Sequence, residues 1–316
     1  MSNESLLSLR VRSISEEALG IHAYELVSND ERPLPAFSAG AHVSLVLPDG
    51  MQRSYSLTNS QRERHRYVVA VNLDPRSRGG SRYLHQRVRV GDVLPAVAPR
   101  NAFELAEDAR QSVFIAGGIG ITPIYAMIRR LNDLGKRWAL HYCARTPRAA
   151  AFTAELAGDE RVRFYFDETE PADRLDIANL VGGLPPHAHV YCCGPASMLD
   201  AFLAATSRLS TERVHYERFA AAPAPARNGS YTVTLARSGR TVPVRAGQTI
   251  LQVLQEAGLE PAFSCGQGVC GSCETAVLAG RPDHRDQVLS EDERASGSSM
   301  MICCSGCLDD NLVLDL

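Results

Sequence analysis

The sequence predicts a multidomain chain of α/β and β modules: a small Greek-key β-barrel, a parallel α/β layer and a C-terminal β-grasp. Three observations predict it. The first hundred residues alternate like short strands and contain one evident helix. Strand, glycine loop and helix then alternate. After a proline-interrupted run comes Cys265-Gly266-Gln267-Gly268-Val269-Cys270-Gly271-Ser272-Cys273, preceded by a strand–strand–helix pattern. The boundaries fall at 1–104, 105–222 and 223–316.

Size and composition bound the reading. At 316 residues with 45% apolar content, the chain can bury two or three cores. A net charge of −3 argues against bulk nucleic-acid binding. No apolar run reaches membrane-span length, and MSNESLLSLRVRS lacks the basic and apolar regions of a secretory signal. Nine cysteines, an odd number with several in one tight cluster, point to a metal site in a reducing cytoplasm rather than a disulfide framework. Residues 51–100 carry ten Arg against three acids, and residues 224–316 seven Arg against eleven acids. Both fit solvated surfaces; the first also fits a phosphate-binding domain.

In the first domain, Leu7–Ser15, Ala23–Val27, His42–Leu47, Arg53–Thr58, Tyr67–Leu73 and Val93–Val97 read as strands, with Asp49-Gly50 a hairpin turn. A helix opens near Gly79-Gly80-Ser81. The chemical stretch is Arg53-Ser54-Tyr55-Ser56-Leu57-Thr58. On a strand, Arg53 and Tyr55 share one face and Ser54 and Ser56 the other. An Arg beside a Tyr offers a phosphate clamp, and the helix start at Gly79–Ser81 favours an anion. Alone, this stretch reads as an ordinary strand with an exposed Arg.

In the second domain, Ser112–Ala116 is a buried-type strand followed by Gly117-Gly118-Ile119-Gly120-Ile121-Thr122-Pro123. Thr122 suits a helix N-cap and Pro123 the position after it. Such a loop lets a pyrophosphate approach the backbone, although glycine loops are also common turns. Strands at Trp138–Ala144, Val162–Phe166, Ala188–Cys192 and Val214–Glu217 alternate with helices at Ala150–Leu156, Asp176–Leu180 and Ala196–Ser207. Cys193-Gly194-Pro195 sits at a strand's C-terminal end, where open α/β sheets bind ligands. Cys193 there faces a nicotinamide or fills a tight turn. Cys143, Cys192 and Trp138 read as core. Arg145 and Arg148, after the second strand, lie where a 2′-phosphate would be met.

Residues 220–229, AAAPAPARNG, read as a linker. Strands Tyr231–Ala236 and Thr241–Val244 and a helix at Thr249–Ala257 follow, with a Thr249/Gln252 capping box and a Gly258 C-cap. The C-x4-C-x2-C run with a distant fourth cysteine is the spacing of plant-type [2Fe-2S] ferredoxins. Its glycines permit the tight curl that converging thiolates need. Zinc usually pairs two C-x2-C knuckles, and only one is present. Cys303, Cys304 and Cys307 are all near enough to close the site; on an extended strand Cys304 would face away from Cys303. His284 lacks the C-x-H partner of a Rieske ligand and reads as a surface or turn-bracing residue.

RSYSLT, GGIGITP with YCCGP, and CGQGVCGSC with MMICC stand in one order along the whole chain. In this the chain resembles the phthalate dioxygenase reductase family and, within it, the reductases of vanillate O-demethylases. The resemblance implies an NADH-oxidising, FMN-dependent [2Fe-2S] reductase. Hydride would pass from NADH to FMN, and single electrons to the cluster and a separate Rieske-type oxygenase component. It implies FMN phosphate near Arg53, Tyr55, Ser56, Gly80 and Ser81. NADH would lie along Gly117, Gly118, Gly120, Thr122, Pro123, Arg145, Cys193, Gly194, Pro195 and Glu217, with Phe219 by the flavin. Cys265, Cys270, Cys273 and Cys303 would be the cluster ligands. NADH over NADPH, FMN over FAD and a monomer are the expectations. A phthalate- or carnitine-type partner, or a non-enzymatic zinc or iron–sulfur module, are the alternatives.

Overall fold

The computed structural model describes residues 6–48, 50, 52–75, 79–170, 173–219, 230–263, 266, 268, 271–286 and 288–316. They form two compact units, Met1–Glu217 and Arg218–Leu316.

The first unit opens with β1 (Leu7–Ala18), β2 (Ile21–Ser28), β3 (His42–Val46), β4 (Gln52–Ser56), β5 (Tyr67–Asn72), α1 (Gly80–Arg87) and β6 (Val93–Arg100). Alternation decides the inward face: Leu9 and Val11 are buried while Arg10 and Arg12 are exposed. The strand order is β4-β3-β6-β1-β2-β5, with antiparallel neighbours. An antiparallel bridge from Leu57 to Val69 joins the two edge strands and closes the barrel. At the β3–β4 hairpin, Gly50 takes φ 78 and its N–H bonds the Leu47 carbonyl at 2.9 Å; Asp49 lies outside the described residues.

The α/β layer follows: β7 (Gln111–Gly117), α2 (Ile121–Asp133), β8 (Arg137–Ala144), α3 (Thr153–Leu156), β9 (Val162–Phe166), α4 (Ile177–Gly182), β10 (Ala188–Cys193), α5 (Ala196–Thr206) and β11 (Val214–Glu217). All pairs are parallel, in the order β11-β10-β7-β8-β9. β7 is buried on both faces, as a central parallel strand must be. The chain winds outward from β7 through β9, then returns to β10, so the switch of direction lies between β7 and β10. Trp138 and Cys192 are core, and Cys143 is half-buried.

Two sequence expectations fail here. Thr122 is not an N-cap. A 3₁₀ turn at Gly118–Gly120 carries the chain into α2, and the Thr122 hydroxyl donates to the Ile119 carbonyl at 2.9 Å. The helix expected at Ala150–Leu156 shrinks to Thr153–Leu156, because the chain is extended at Ala150 and left-handed at Phe152. Phe152 is left in the left-handed region at φ 59.

Ile21, Ala39 and Ala70 of the barrel and Phe103 pack in one apolar cluster with Phe114, Met127, Leu140 and Tyr191 of the layer. Barrel and layer thus share a core, which makes them one unit.

The second unit contains β12 (Tyr231–Leu235), β13 (Thr241–Val244), α6 (Ile250–Glu256), β14 (Glu274–Ala279), β15 (Pro282–Asp283), α7 (Glu291–Ser296), β16 (Ser299–Met301), β17 (Gly306–Cys307) and β18 (Asn311–Leu314). A mixed sheet in the order β13-β12-β18-β14-β16 places the β12–β18 parallel pair at its centre. With α6 between β13 and β14 in chain order and packed on β13's side, this is a β-grasp. The Thr249–Gln252 capping box is present. At the other end of α6, Gly258 takes φ 77, while Gly258 and Leu259 donate to the Gln255 and Leu254 carbonyls, a Schellman closure. The linker, residues 220–229, lies outside the described residues. Among the described residues no helix is long and apolar enough to cross a membrane.

Candidate functional site

The candidate residues gather into three groups. The first is at the barrel. Arg53 on β4 lies across Gly80, the first residue of α1, so closely that a Cβ at Gly80 would collide with the arginine side chain. Gly79 takes φ 109 as the N-cap, and no side chain caps the helix. An arginine therefore lies beside the N-terminus of α1, an arrangement that suits an anion. The Ser81 hydroxyl accepts from the Asp74 amide at 3.3 Å. Ser54 bonds Ser44 on the neighbouring strand at 2.8 Å. Tyr55 is half-buried beside Arg53, and burial pushes its phenol up. Leu57 turns into the core, and the buried Thr58 donates to the Val68 carbonyl at 3.1 Å. Ser56 is buried opposite His42. Burial, with Arg100 nearby, lowers His42 to about 4, so that imidazole is neutral near pH 7.

The second group lies at the switch between β7 and β10. A Cβ at Gly117 would strike Pro195 and Met198; at Gly120, the backbone of Cys193 and Gly194; at Gly194, Met198 and the Gly117 backbone. These glycines exist so that the two loops can touch backbone to backbone. The sequence reading had Gly117, Gly118 and Gly120 as a pyrophosphate approach or a plain turn, and the loop contact adds a packing reason for Gly117 and Gly120. Gly118, at φ 53, faces open space and keeps the ligand-approach explanation. Met198, in the first turn of α5, was not singled out by sequence; its signal was the spacing C-G-P-x-x-M. The Cys193 thiol points to the Glu217 carboxyl at 3.9 Å. Burial pushes Glu217 up to about 8, and burial plus Glu217 hold the Cys193 thiol far above its ordinary range. Near neutral pH both are mainly uncharged. Arg145 is exposed and faces Glu168 at 3.8 Å. Phe219 belongs to the second unit and is 41% exposed.

The third group is in the second unit. Cys273 and Cys303 are buried, and the Gly268 amide donates to the Cys303 sulfur at 3.1 Å. Gly268 takes φ 68, and a Cβ there would collide with the Cys304 sulfur. Cys265 and Cys270 lie outside the described residues. The extended strand considered for Cys303-Cys304 is instead a turn, with the Cys304 amide bonded to the Met301 carbonyl at 3.2 Å. His284 is not at the surface: its side chain is 10% exposed and its Nδ1 lies 3.8 Å from Asp286. A backbone amide aimed at a buried cysteine sulfur stabilises a thiolate, so these residues fit a [2Fe-2S] group.

Residues 233–307 match the 2Fe-2S iron-sulfur cluster binding domain family. Phenoxybenzoate dioxygenase subunit beta of Ectopseudomonas oleovorans is 53% identical over 98% of this chain and 97% of its own. Vanillate O-demethylase oxidoreductase of Pseudomonas putida is 42% identical over 97% of this chain and 98% of its own. The solved phthalate dioxygenase reductase, described as a modular structure for electron transfer from pyridine nucleotides to [2Fe-2S], superposes with a TM-score of 0.74 at 39% identity over 99% of both chains.

The chain belongs to the phthalate dioxygenase reductase family. Like its relatives it is an oxidoreductase, the reductase of an oxygenase system that uses NADH, FMN and a [2Fe-2S] cluster. Membership agrees with the order of the three motif sets. The chain is more similar to the phenoxybenzoate relative than to the vanillate one, so likeness to vanillate O-demethylase reductases places the family rather than the substrate.

Proposed function

We propose that this reductase serves a separate Rieske-type oxygenase component acting on an aromatic substrate, and that it works as a monomer in the cytoplasm. The observation that carries the reading is the Gly268 amide held on the Cys303 sulfur, within a chain that matches oxygenase reductases end to end. Segments 1–104, 105–222 and 223–316 serve as flavin, nucleotide and cluster modules.

Each residue group has a role. Arg53 and the amides at Gly80 and Ser81 bind the FMN phosphate, with Gly79 setting their approach and Ser54, Tyr55 and Ser56 lining the strand. Leu57 and Thr58 fix that strand to β5. Gly118 and the start of α2, with Thr122 and Pro123, receive the NADH pyrophosphate. Gly117, Gly120, Gly194 and Pro195 keep the two loops in contact. Cys193 and Glu217 wall the nicotinamide end with uncharged, poorly hydrated groups, which excludes water there. Phe219 is the position that matches the family's aromatic near the flavin. Glu168 beside Arg145 repels a 2′-phosphate, which favours NADH over NADPH. Cys265, Cys270, Cys273 and Cys303 hold the cluster. When bound, FMN supplies the exchange between a two-electron donor and one-electron carriers.

The test uses the purified full chain. It should be orange-brown and release FMN on denaturation, and NADH should bleach its flavin and iron–sulfur bands with a lower KM than NADPH. It should also support turnover by a purified Rieske oxygenase. A colourless preparation that binds zinc would overturn the reading.

A further inference from the structure

Tyr142, on β8, is fully buried, and its hydroxyl makes two hydrogen bonds. It accepts from the Ala151 amide at 3.0 Å and donates to the Gly118 carbonyl at 3.2 Å. Gly118 is the open, positive-φ residue of the β7–α2 loop, and its carbonyl also accepts from the Ile121 amide at the start of α2. The other side of the hydroxyl leads to the barrel. Residue 152 follows Ala151, and its amide donates to Glu17 Oε1, on β1, at 2.8 Å. The Leu19 amide, in the next turn of the barrel, donates to the Arg148 carbonyl at 2.8 Å. Phe152 is held at φ 59, a conformation disfavoured for a bulky residue, so its surroundings must impose it. Its ring lies flat on Tyr125 of α2, with centroids 4.3 Å apart and planes 4° apart.

We propose that Tyr142 is a positioning residue: its hydroxyl ties the Gly118 turn to a segment anchored on the barrel, and so sets the NADH loop relative to the flavin module. Packing alone does not require the hydroxyl, because a phenylalanine ring would fill the same core space. The hydroxyl is what connects β1, through Glu17, Phe152 and Ala151, to the Gly118 carbonyl. The inference rests on the Gly118 turn being where the NADH pyrophosphate binds.

The experiment compares variants of the full protein loaded with FMN and cluster. Loss of two hydrogen bonds at the loop predicts that Tyr142→Phe raises KM for NADH by about tenfold. kcat and flavin retention should stay near those of the parent, while the thermal midpoint falls modestly because the buried Ala151 amide loses its acceptor. Glu17→Met should move KM the same way by a smaller factor. Glu17→Gln, which keeps an acceptor oxygen for the Phe152 amide, should restore it. Gly118→Ala tests the binding-site reading separately. A KM rise in Gly118→Ala with none in Tyr142→Phe overturns the positioning role and leaves the site standing. No rise in either overturns both. A Tyr142→Phe variant that loses its flavin along with its NADH affinity also overturns the proposal, since it marks general core damage.

Discussion

The Gly268 amide points at one sulfur of the Cys303-Cys304 pair, while the Cys304 sulfur lies near the Met301 carbonyl and the Ser305 hydroxyl, each at 3.8 Å. An amide–sulfur bond lowers the energy of a thiolate, so Cys303 is the better cluster ligand. Cys303→Ser should abolish or grossly change the visible iron–sulfur spectrum, and Cys304→Ser should keep it. The reverse pair of spectra would move the ligand by one residue. Glu217 carries a second residue-scale prediction. Its ordinary value is 4.5 and burial raises it to about 8. Between those values the unfolded chain has released the proton that the folded chain still holds, so this group's contribution to stability falls as pH rises and levels off above about 8. The slope is at most about 1.4 kcal/mol per pH unit. Glu217→Gln removes that slope. Urea titrations of parent and variant at pH 5, 6, 7 and 8 should therefore diverge, the variant being relatively more stable at the alkaline end. Parallel curves would show that the carboxyl is already ionised.

At the element scale, what sequence could show depended on how local the cause was. β1 and α6 were readable because period-two alternation in the one and the Thr249/Gln252 capping box of the other are each set within a few residues. β15, β16 and β17 were not, since strands of two or three residues carry no periodicity and exist only through distant partners such as Pro282 with Cys307. α3 was misjudged because Tyr142 and Glu17, far away in sequence, hold the amides of Ala151 and Phe152 in a non-helical turn. The glycine loop was legible as a loop, but one of the reasons for its glycines was not. Its contact with Gly194 and Pro195 joins two loops that only the parallel sheet brings together. That contact gives Gly120→Ala a definite outcome. The added methyl must push against Cys193 backbone, which cannot rotate away as a side chain could. The expected loss is about 1–3 kcal/mol in denaturant unfolding, together with weakened NADH binding. An unchanged midpoint would show that the two loops can part freely.

Over the whole molecule, apolar packing and catalytic order are divided differently. Three modules are implied by function, yet the barrel and the α/β layer share one cluster, in which Ile21 and Ala70 meet Phe114 and Tyr191, and they form a single compact unit. The cluster around Val233, Leu254, Met300, Cys303 and Leu314 draws only on the second unit. Uniting barrel and layer in one core keeps their relative placement from depending on a flexible joint. Cooperativity should follow the cores. Calorimetry of the full chain should show two transitions rather than three, and flavin release should coincide with one of them. Removing iron with a chelator should lower only the other, because a metal bound to the folded state alone stabilises the unit that binds it. Three separable transitions, or a chelator that shifts both equally, would show that the shared core does not govern how this reductase unfolds.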